Sequence, residues 1–457
     1  MKALQKCHPQ RVRQFLEELP GNLDETYERI LKEIRKPNQA EAHRMLQCLA
    51  VAARPLRVEE LAEVLAFDFN AGGVPKLNPN WRWEDQKEAV MSTCSSLVNI
   101  VEDEDGKSEI VQFSHFSVKE FLTADRLRLA EPDRGVSYYY IGLDDAHTVL
   151  VRACLGVLLS LDDGVNKDNI ESVPLARYSA QYWTTHAQFK DVSLRIKDGM
   201  ERLFDANSPH FATWLWIYND DQDGRSISTE CPEKPEVAPL YYAASFGFLD
   251  LVKHLIAKHP EDATAKGGKA VTAMHVAARE GYTDILPLLL DLGAAVDGQG
   301  LSGQTPLHRA AWSGRVDAGQ CLLDYGADIN AQSDDEWTPL FLAAFHGHVD
   351  FTRMLLERRA ATDVRNVAGQ SPLHWAVQGG GIEAVRLLLE HGADANARNV
   401  FDETPSHVAS GPRRQEIVEL LSEYGAEFVE LLFEYDAESV ELLYEYGAEF
   451  VESASLM

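Results

Sequence analysis

Residues 111–122 read VQFSHFSVKEFL and set His115 between Ser114 and Ser117, with Lys119 and Glu120 just beyond. These residue types could supply a nucleophile and its base, or an imidazole that donates a hydrogen bond to a phosphate. Nearness in sequence carries little weight for the first, because a triad is assembled by the fold from separate segments. A second stretch, EDEDGKS at 102–108, ends in Gly106-Lys107-Ser108 like a phosphate-binding loop. Such a loop needs GxxxxGK followed by Ser or Thr, because its amides cradle phosphates and its lysine neutralises them. Val101 stands where the first glycine belongs, and the segment reads as a turn between two β-type runs. The GGKA at 267 fails as well, with Ala270 in place of the hydroxyl residue. The expectation is a chain with no catalytic residue and no nucleotide cofactor of its own.

Composition narrows the function classes. The 457 residues are 45% hydrophobic and 25% charged, which is ordinary for a soluble protein. No run of about 18 apolar residues occurs, so no membrane-spanning helix is expected. The opening residues lack an apolar stretch of signal-peptide length, and the six cysteines are far apart with no CxxC pair. Both point to a reducing, cytoplasmic location without structural metal. The net charge is −29 and no segment is strongly basic: residues 1–67 hold 11 basic against 10 acidic side chains, 68–237 hold 17 against 29, 238–425 hold 15 against 24, and 426–457 hold none against 9. Nucleic acid and acidic membrane surfaces both need a basic face, so neither is an expected partner.

The elements that must position any site come from an internal repeat. TPLHRAA starts at Thr305, TPLFLAA at Thr338, SPLHWAV at Ser371 and TPSHVAS at Thr404, each 33 residues from the last. TAMHVAA at Thr272 keeps the step and APLYYAA at Ala238 precedes it by 34. Thr or Ser before Pro suits a helix start, and paired alanines let helices approach closely. Second helices carry apolar clusters such as ILPLLL and AVRLLL, followed by Gly293, Gly326, Gly392 and Gly425 where a left-handed cap is expected. Arg359 takes that place in the fourth unit, and Gly380-Gly381 in the fifth also departs from pattern; both suggest weaker caps. In the sixth, SGPRRQ puts the first helix in question. The pattern resembles the ankyrin repeat over 238–425, six units, which implies an α-solenoid with an extended protein-binding surface.

The resemblance implies that tips and first helices face the ligand. Those positions are Ser302, Asp334, Asp335, Trp337, Val367 and Phe401 at tips and groove, with Arg279, Trp312, Ser313, Phe345 and His346 on first helices. Trp312, Trp337 and Phe345 are the expected anchors, since aromatic residues dominate interface energetics. The motif histidines His275, His308, His374 and His407 fall in separate repeats, so hydrogen bonding is expected of them and metal ligation is not. From Val418 the sequence repeats VELLxEYxAE at period 11, which predicts a helical cap on the last repeat giving way to disorder over 426–457.

The first half reads as helices at 23–34, 39–53, 57–67 and 84–94, then two β-type runs, LVNIV and EIVQF, and a closing helix from Ser117. That is a winged-helix plan. LPGNLDETYERIL, ARPLRVEELAEVLA and VQFSHFSVKEFLTADRL resemble the winged-helix region of fungal STAND proteins, NLR-like signalling ATPases in which a NACHT nucleotide-binding domain comes before it and ankyrin repeats often after. The resemblance makes 1–22 the terminal helix of a missing nucleotide-binding module, 23–128 the winged helix and 138–237 an all-helical connector. It also implies a role for His115, as the remnant of a histidine that contacts the nucleotide β-phosphate, although Phe116 stands where the usual motif has aspartate. The whole reads as a mainly α, non-enzymatic, interaction half of an NLR-like protein, with ADP or ATP entering only with a NACHT domain supplied in cis or in trans. A fragment of a signalling ATPase whose catalytic domain lies upstream is one alternative. The other is a winged-helix transcription regulator, against which RVEELAEVLAF counts, with one Arg and three Glu where a basic recognition helix is needed.

Overall fold

The computed structural model describes residues 23–426 except 71, 104–105, 107, 131–134, 162–164, 167–168, 224–236 and 266–270. The expectations for 1–22 and for 427–457 therefore lie outside the described residues. The chain divides into two units, 1–235 and 236–457.

In the first unit α1 (Leu23–Glu33) begins with Asp24 and Glu25, which favour a helix N-terminus, and buries Tyr27 and Leu31 one turn apart. Helix α2 (Gln39–Val51) buries Met45, Leu46 and Cys48 and ends ahead of Pro55. After it comes β1 (Leu56–Arg57), then α3 (Val58–Leu65), α4 (Gln86–Cys94), β4 (Val98–Glu102), β5 (Glu109–Phe113), α5 (Phe116–Thr123) and α6 (Asp125–Arg128); a small pair, β2 (Phe67–Asp68) and β3 (Lys76–Leu77), sits between α3 and α4. The hairpin β4–β5 falls on the two β-type runs, with Ile100 opposite Val111. The sequence pattern did not disclose β1, which adds to β5 and makes a three-stranded antiparallel sheet in the order β1-β5-β4. That strand corrects the recognition-helix argument. The helix directly before the hairpin is α4, whose exposed residues include Lys87, Glu88 and Met91, so α3 does not hold that place. Two residues are too short a run to show the alternation by which strands are read.

The connector is helical, with α7 (Leu143–Leu158), α8 (Ala176–Ala187), α9 (Val192–Arg195), α10 (Lys197–Leu203) and α11 (Pro209–Asp223). Its core is aromatic: Trp183 and Trp214 meet edge to face at 5.5 Å, and Trp214 Nε1 donates to the Ala180 carbonyl at 3.0 Å. The winged helix is tied to it through Arg54, which forms a two-pronged pair with Glu60 at 2.8 and 2.6 Å and lies over the Tyr178 ring of α8 at 5.0 Å. Tyr178 Oη in turn accepts the Ala53 amide and bonds to His186 Nε2.

In the second unit each of six repeats folds as two antiparallel helices. First helices are Pro239–Ser245, Ala273–Glu280, Pro306–Trp312, Pro339–Phe345, Pro372–Gln378 and Pro405–Val408; second helices are Leu249–Lys258, Ile285–Asp291, Val316–Asp324, Val349–Glu357, Ile382–Glu390 and Arg414–Glu423. The sixth first helix is cut to four residues, as SGPRRQ leads one to expect. The residue closing the second helix of repeats 2, 3, 5 and 6 is Gly293, Gly326, Gly392 or Gly425, at φ of 86°, 88°, 86° and 84°. Arg359 holds the same place in repeat 4 at φ 66°. A side chain there costs about 1–2 kcal/mol in the left-handed region, whereas glycine adopts it freely. Arg359→Gly is therefore expected to raise stability by roughly 0.5–1 kcal/mol. A urea midpoint that falls would contradict this.

Candidate protein-interaction surface

The first helices are fixed by a shared lock. In repeat 3 the His308 Nδ1 accepts the Thr305 amide at 3.2 Å and bonds the Thr305 hydroxyl at 2.8 Å, while Nε2 donates to the Trp337 carbonyl of the next repeat at 2.8 Å. His275 repeats this with Thr272 and the Gln304 carbonyl, and His374 with Ser371 and the Glu403 carbonyl. Burial pushes His308 and His374 down to about 4, which keeps each ring neutral with one donor and one acceptor nitrogen. Repeat 4 breaks the series: Phe341 replaces the histidine, and the Thr338 hydroxyl is buried with no hydrogen-bond partner. His407 caps Thr404 in repeat 6.

The tips are linked by backbone bonds. The Asp334 amide donates to the Ser302 carbonyl at 3.0 Å, Val367 to Asp335 at 3.3 Å and Val400 to Ala368 at 3.1 Å. Asp334 and Asp335 are exposed beside this ladder, as are Val367 at 61% and Phe401 at 70%; Ser302 is half-buried at a φ of 56°.

Along the first helices, Arg279, Trp312, Ser313, Phe345 and His346 are half-buried, each keeping part of its side chain at the surface. Their rings form a continuous run: Trp312 meets His346 at 4.0 Å, His346 meets Phe345 at 5.1 Å, and Phe345 meets Trp375 at 5.0 Å. Trp337 corrects the anchor assignment. It is only 9% exposed, its ring packs on Trp375 at 4.6 Å, and its carbonyl closes the His308 lock. A ring held inside the tip to support the next repeat cannot also enter a ligand. Two residues on this face escaped the sequence reading, Arg309 and Trp375. Each follows a motif histidine by one place, and Arg309 lies one helical turn before Trp312, so the spacing could have revealed it. Gly379 lets the stack close here, because a Cβ at that position would lie 2.0 Å from the Phe345 carbonyl oxygen.

In the winged helix, His115 is the N-cap of α5. Its Nδ1 faces the Ser117 hydroxyl at 2.6 Å and amide at 3.3 Å, and that hydroxyl meets Tyr27 Oη at 2.7 Å. The side chain is exposed, with its ring tilted against that of Phe116 at 4.3 Å. The Ser–His pair is therefore a helix cap anchored to α1. The cleft beside the hairpin is lined by Glu59, Glu84, Asp85, Glu102 and Glu109, with Lys87 paired to Glu109 at 2.7 Å.

Comparisons with known proteins agree with this architecture. The family described as ankyrin repeats matches three overlapping segments, 240–333, 325–399 and 359–431, and the family described as the winged helix domain of GPI inositol-deacylase matches 27–131. The protein is mainly α and carries ankyrin repeats and a winged-helix domain. Azaphilone pigments biosynthesis cluster protein L of Monascus ruber is 32% identical over 297 residues, 62% of this chain and 61% of that protein. The Vegetative incompatibility protein HET-E-1 of Podospora anserina is 22% identical over 227 residues, 46% of this chain and 14% of that protein. BCL-6 corepressor-like protein 1 of Mus musculus is 41% identical over 58 residues, 13% of this chain and 3% of that protein. The chain thus spans less than two thirds of the length of each of these relatives. Ankyrin repeats support protein–protein interaction, and no helix among the described residues is long and apolar enough to cross a membrane.

Proposed function

We propose that this protein is a non-enzymatic, cytoplasmic interaction protein whose ankyrin face binds a protein ligand, and that it forms the sensing half of an NLR-like signalling system. The observation that carries the binding reading is the aromatic run Trp312–His346–Phe345–Trp375, partly exposed on one face of three stacked first helices. Half-buried aromatic side chains on a rigid scaffold are the residue types that concentrate binding energy. The likeness to HET-E-1 and the winged-helix match support the NLR-like part. In that reading the winged helix folds against a NACHT domain supplied in cis or in trans, ADP or ATP belongs to that domain, and exposed His115 turns its free edge toward the nucleotide. The acidic hairpin cleft and the near-neutral α4 surface speak against nucleic acid as a partner.

The test is a quantitative pull-down with the full chain. Replacing both Trp312 and Phe345 with alanine is expected to lower recovery of the specific partner at least tenfold, while circular dichroism shows an unchanged helical signal. Undiminished recovery would remove this face from the binding role.

A further inference from the structure

We infer that the first-helix face of repeats 2–5 takes an extended acidic peptide, with a carboxylate seated between Arg279 and Arg309 and an apolar side chain against Trp312 and Phe345. This rests on the ankyrin-binding reading above and adds the chemistry of the ligand. Arg279 of repeat 2 has its Nε on Glu280 at 2.8 Å. Arg309 of repeat 3 has no such counterpart: its Nε is buried without a hydrogen-bond partner, and the groups that act on its charge are Arg279, which repels it, and Tyr241. Burial lowers the proton affinity of Arg309 further. A guanidinium drawn out of water beside a second positive charge is costly, and a carboxylate that accepts from Arg309 and reaches Arg279 removes the cost with charge-assisted hydrogen bonds.

The same face holds two more unused nitrogens. His346 Nε2 of repeat 4 and Trp375 Nε1 of repeat 5 are buried without a hydrogen-bond partner. Repeats 3, 4 and 5 therefore each hold one buried, unsatisfied nitrogen on this face. Buried polar groups are ordinarily satisfied, so such a row signals a missing ligand rich in acceptors. Peptide carbonyls and carboxylates supply acceptors, and apolar side chains between them match Trp312 and Phe345. First helices stacked about 9 Å apart make three steps of roughly 27 Å, which about eight extended residues would span. The ligand carries a single carboxylate at this seat and not a run of acids, because exposed Asp334, Asp335 and Glu336 flank the face and the whole chain carries −29.

The experiment is selection of a phage-displayed library of random dodecapeptides on the full chain, read by sequencing. Wild type is expected to enrich Glu or Asp next to Phe, Tyr or Leu at least fivefold over the starting library. Arg309→Gln, checked for an unchanged thermal midpoint, is expected to return acid content to the library level while apolar enrichment persists. Arg279→Gln should lower acid enrichment in part. Neutral or basic winners, or acid enrichment that survives Arg309→Gln, would overturn the inference. So would a wild-type chain that selects no peptide but cross-links its own residues 427–457 to the Arg309 region, which would make that acidic segment the occupant. Retained Trp312-dependent capture of a protein alongside any of these results would leave the binding reading standing and remove the acidic preference alone.

Discussion

Replacing His308 with alanine is expected to destabilise the ankyrin unit by about 3–4 kcal/mol. The ring is 0% exposed and joins two repeats. Its removal strands the Thr305 amide and the Trp337 carbonyl, each of which then costs about 1–3 kcal/mol as an unsatisfied buried group, and leaves a cavity the size of the imidazole. Urea unfolding followed by circular dichroism reads the change; a loss under 1 kcal/mol would mean that the lock is ornamental. The same residue gives a pH signature. Folded His308 titrates near 4, whereas an unfolded histidine titrates near about 6.5, so between those values the unfolded chain binds one more proton. Stability from this group is complete above about pH 6.5, falls by up to about 1.4 kcal/mol per unit as pH drops toward 4, and changes no further below. The alanine variant should lose that one-proton slope between pH 6.5 and 5.

Arg54→Ala is expected to cost the first unit about 3–5 kcal/mol. Glu60 is 1% exposed, receives both prongs of Arg54, and also accepts the Arg57 amide at the start of α3. Without the guanidinium a buried carboxylate loses its counter-charge, and the contact over Tyr178 that ties winged helix to connector goes with it. The double change Arg54→Met with Glu60→Leu should recover most of the loss, because a well-packed apolar pair removes both charges at once. Thermal unfolding of wild type, single and double variants decides it; a double variant as unstable as the single would show that the ion pair itself, and not the unpaired charge, is what matters.

Much of this fold was readable because its signals are periodic. The step of 33 or 34 residues located the first helices, and the β-type runs located β5 to the residue and β4 to within one residue. What escaped was set by contacts distant in sequence. Leu56 and Arg57 are strand only because Val111 and Ile110 lie beside them. Trp337 sits at a tip by its place in the repeat, yet its ring turns inward onto Trp375, thirty-eight positions on, which no local pattern encodes. Arg309 and Trp375 stand at a variable place of the repeat, after the motif histidine, where the 33-residue pattern carries no signal. The helix-capping role of His115 was legible in its position, whereas its tie to Tyr27 required two helices to be folded together.

The gap in the series of histidine locks has a mechanical consequence. Carbonyl clasps join repeat 2 to 3, 3 to 4 and 5 to 6, but Phe341 leaves the joint between 4 and 5 without one. Tyr241 leaves the joint between 1 and 2 without one as well. Between 4 and 5 the helices are held by buried apolar side chains such as Leu340, Leu373 and Val377, by stacked rings, by tip bonds and by the close seat of Gly379. Apolar packing is non-directional, so where Phe345 meets Trp375 two repeats can slide slightly without breaking a hydrogen bond of the lock kind. A ligand wedged against both rings would act as a splint, converting occupancy into a change of stiffness.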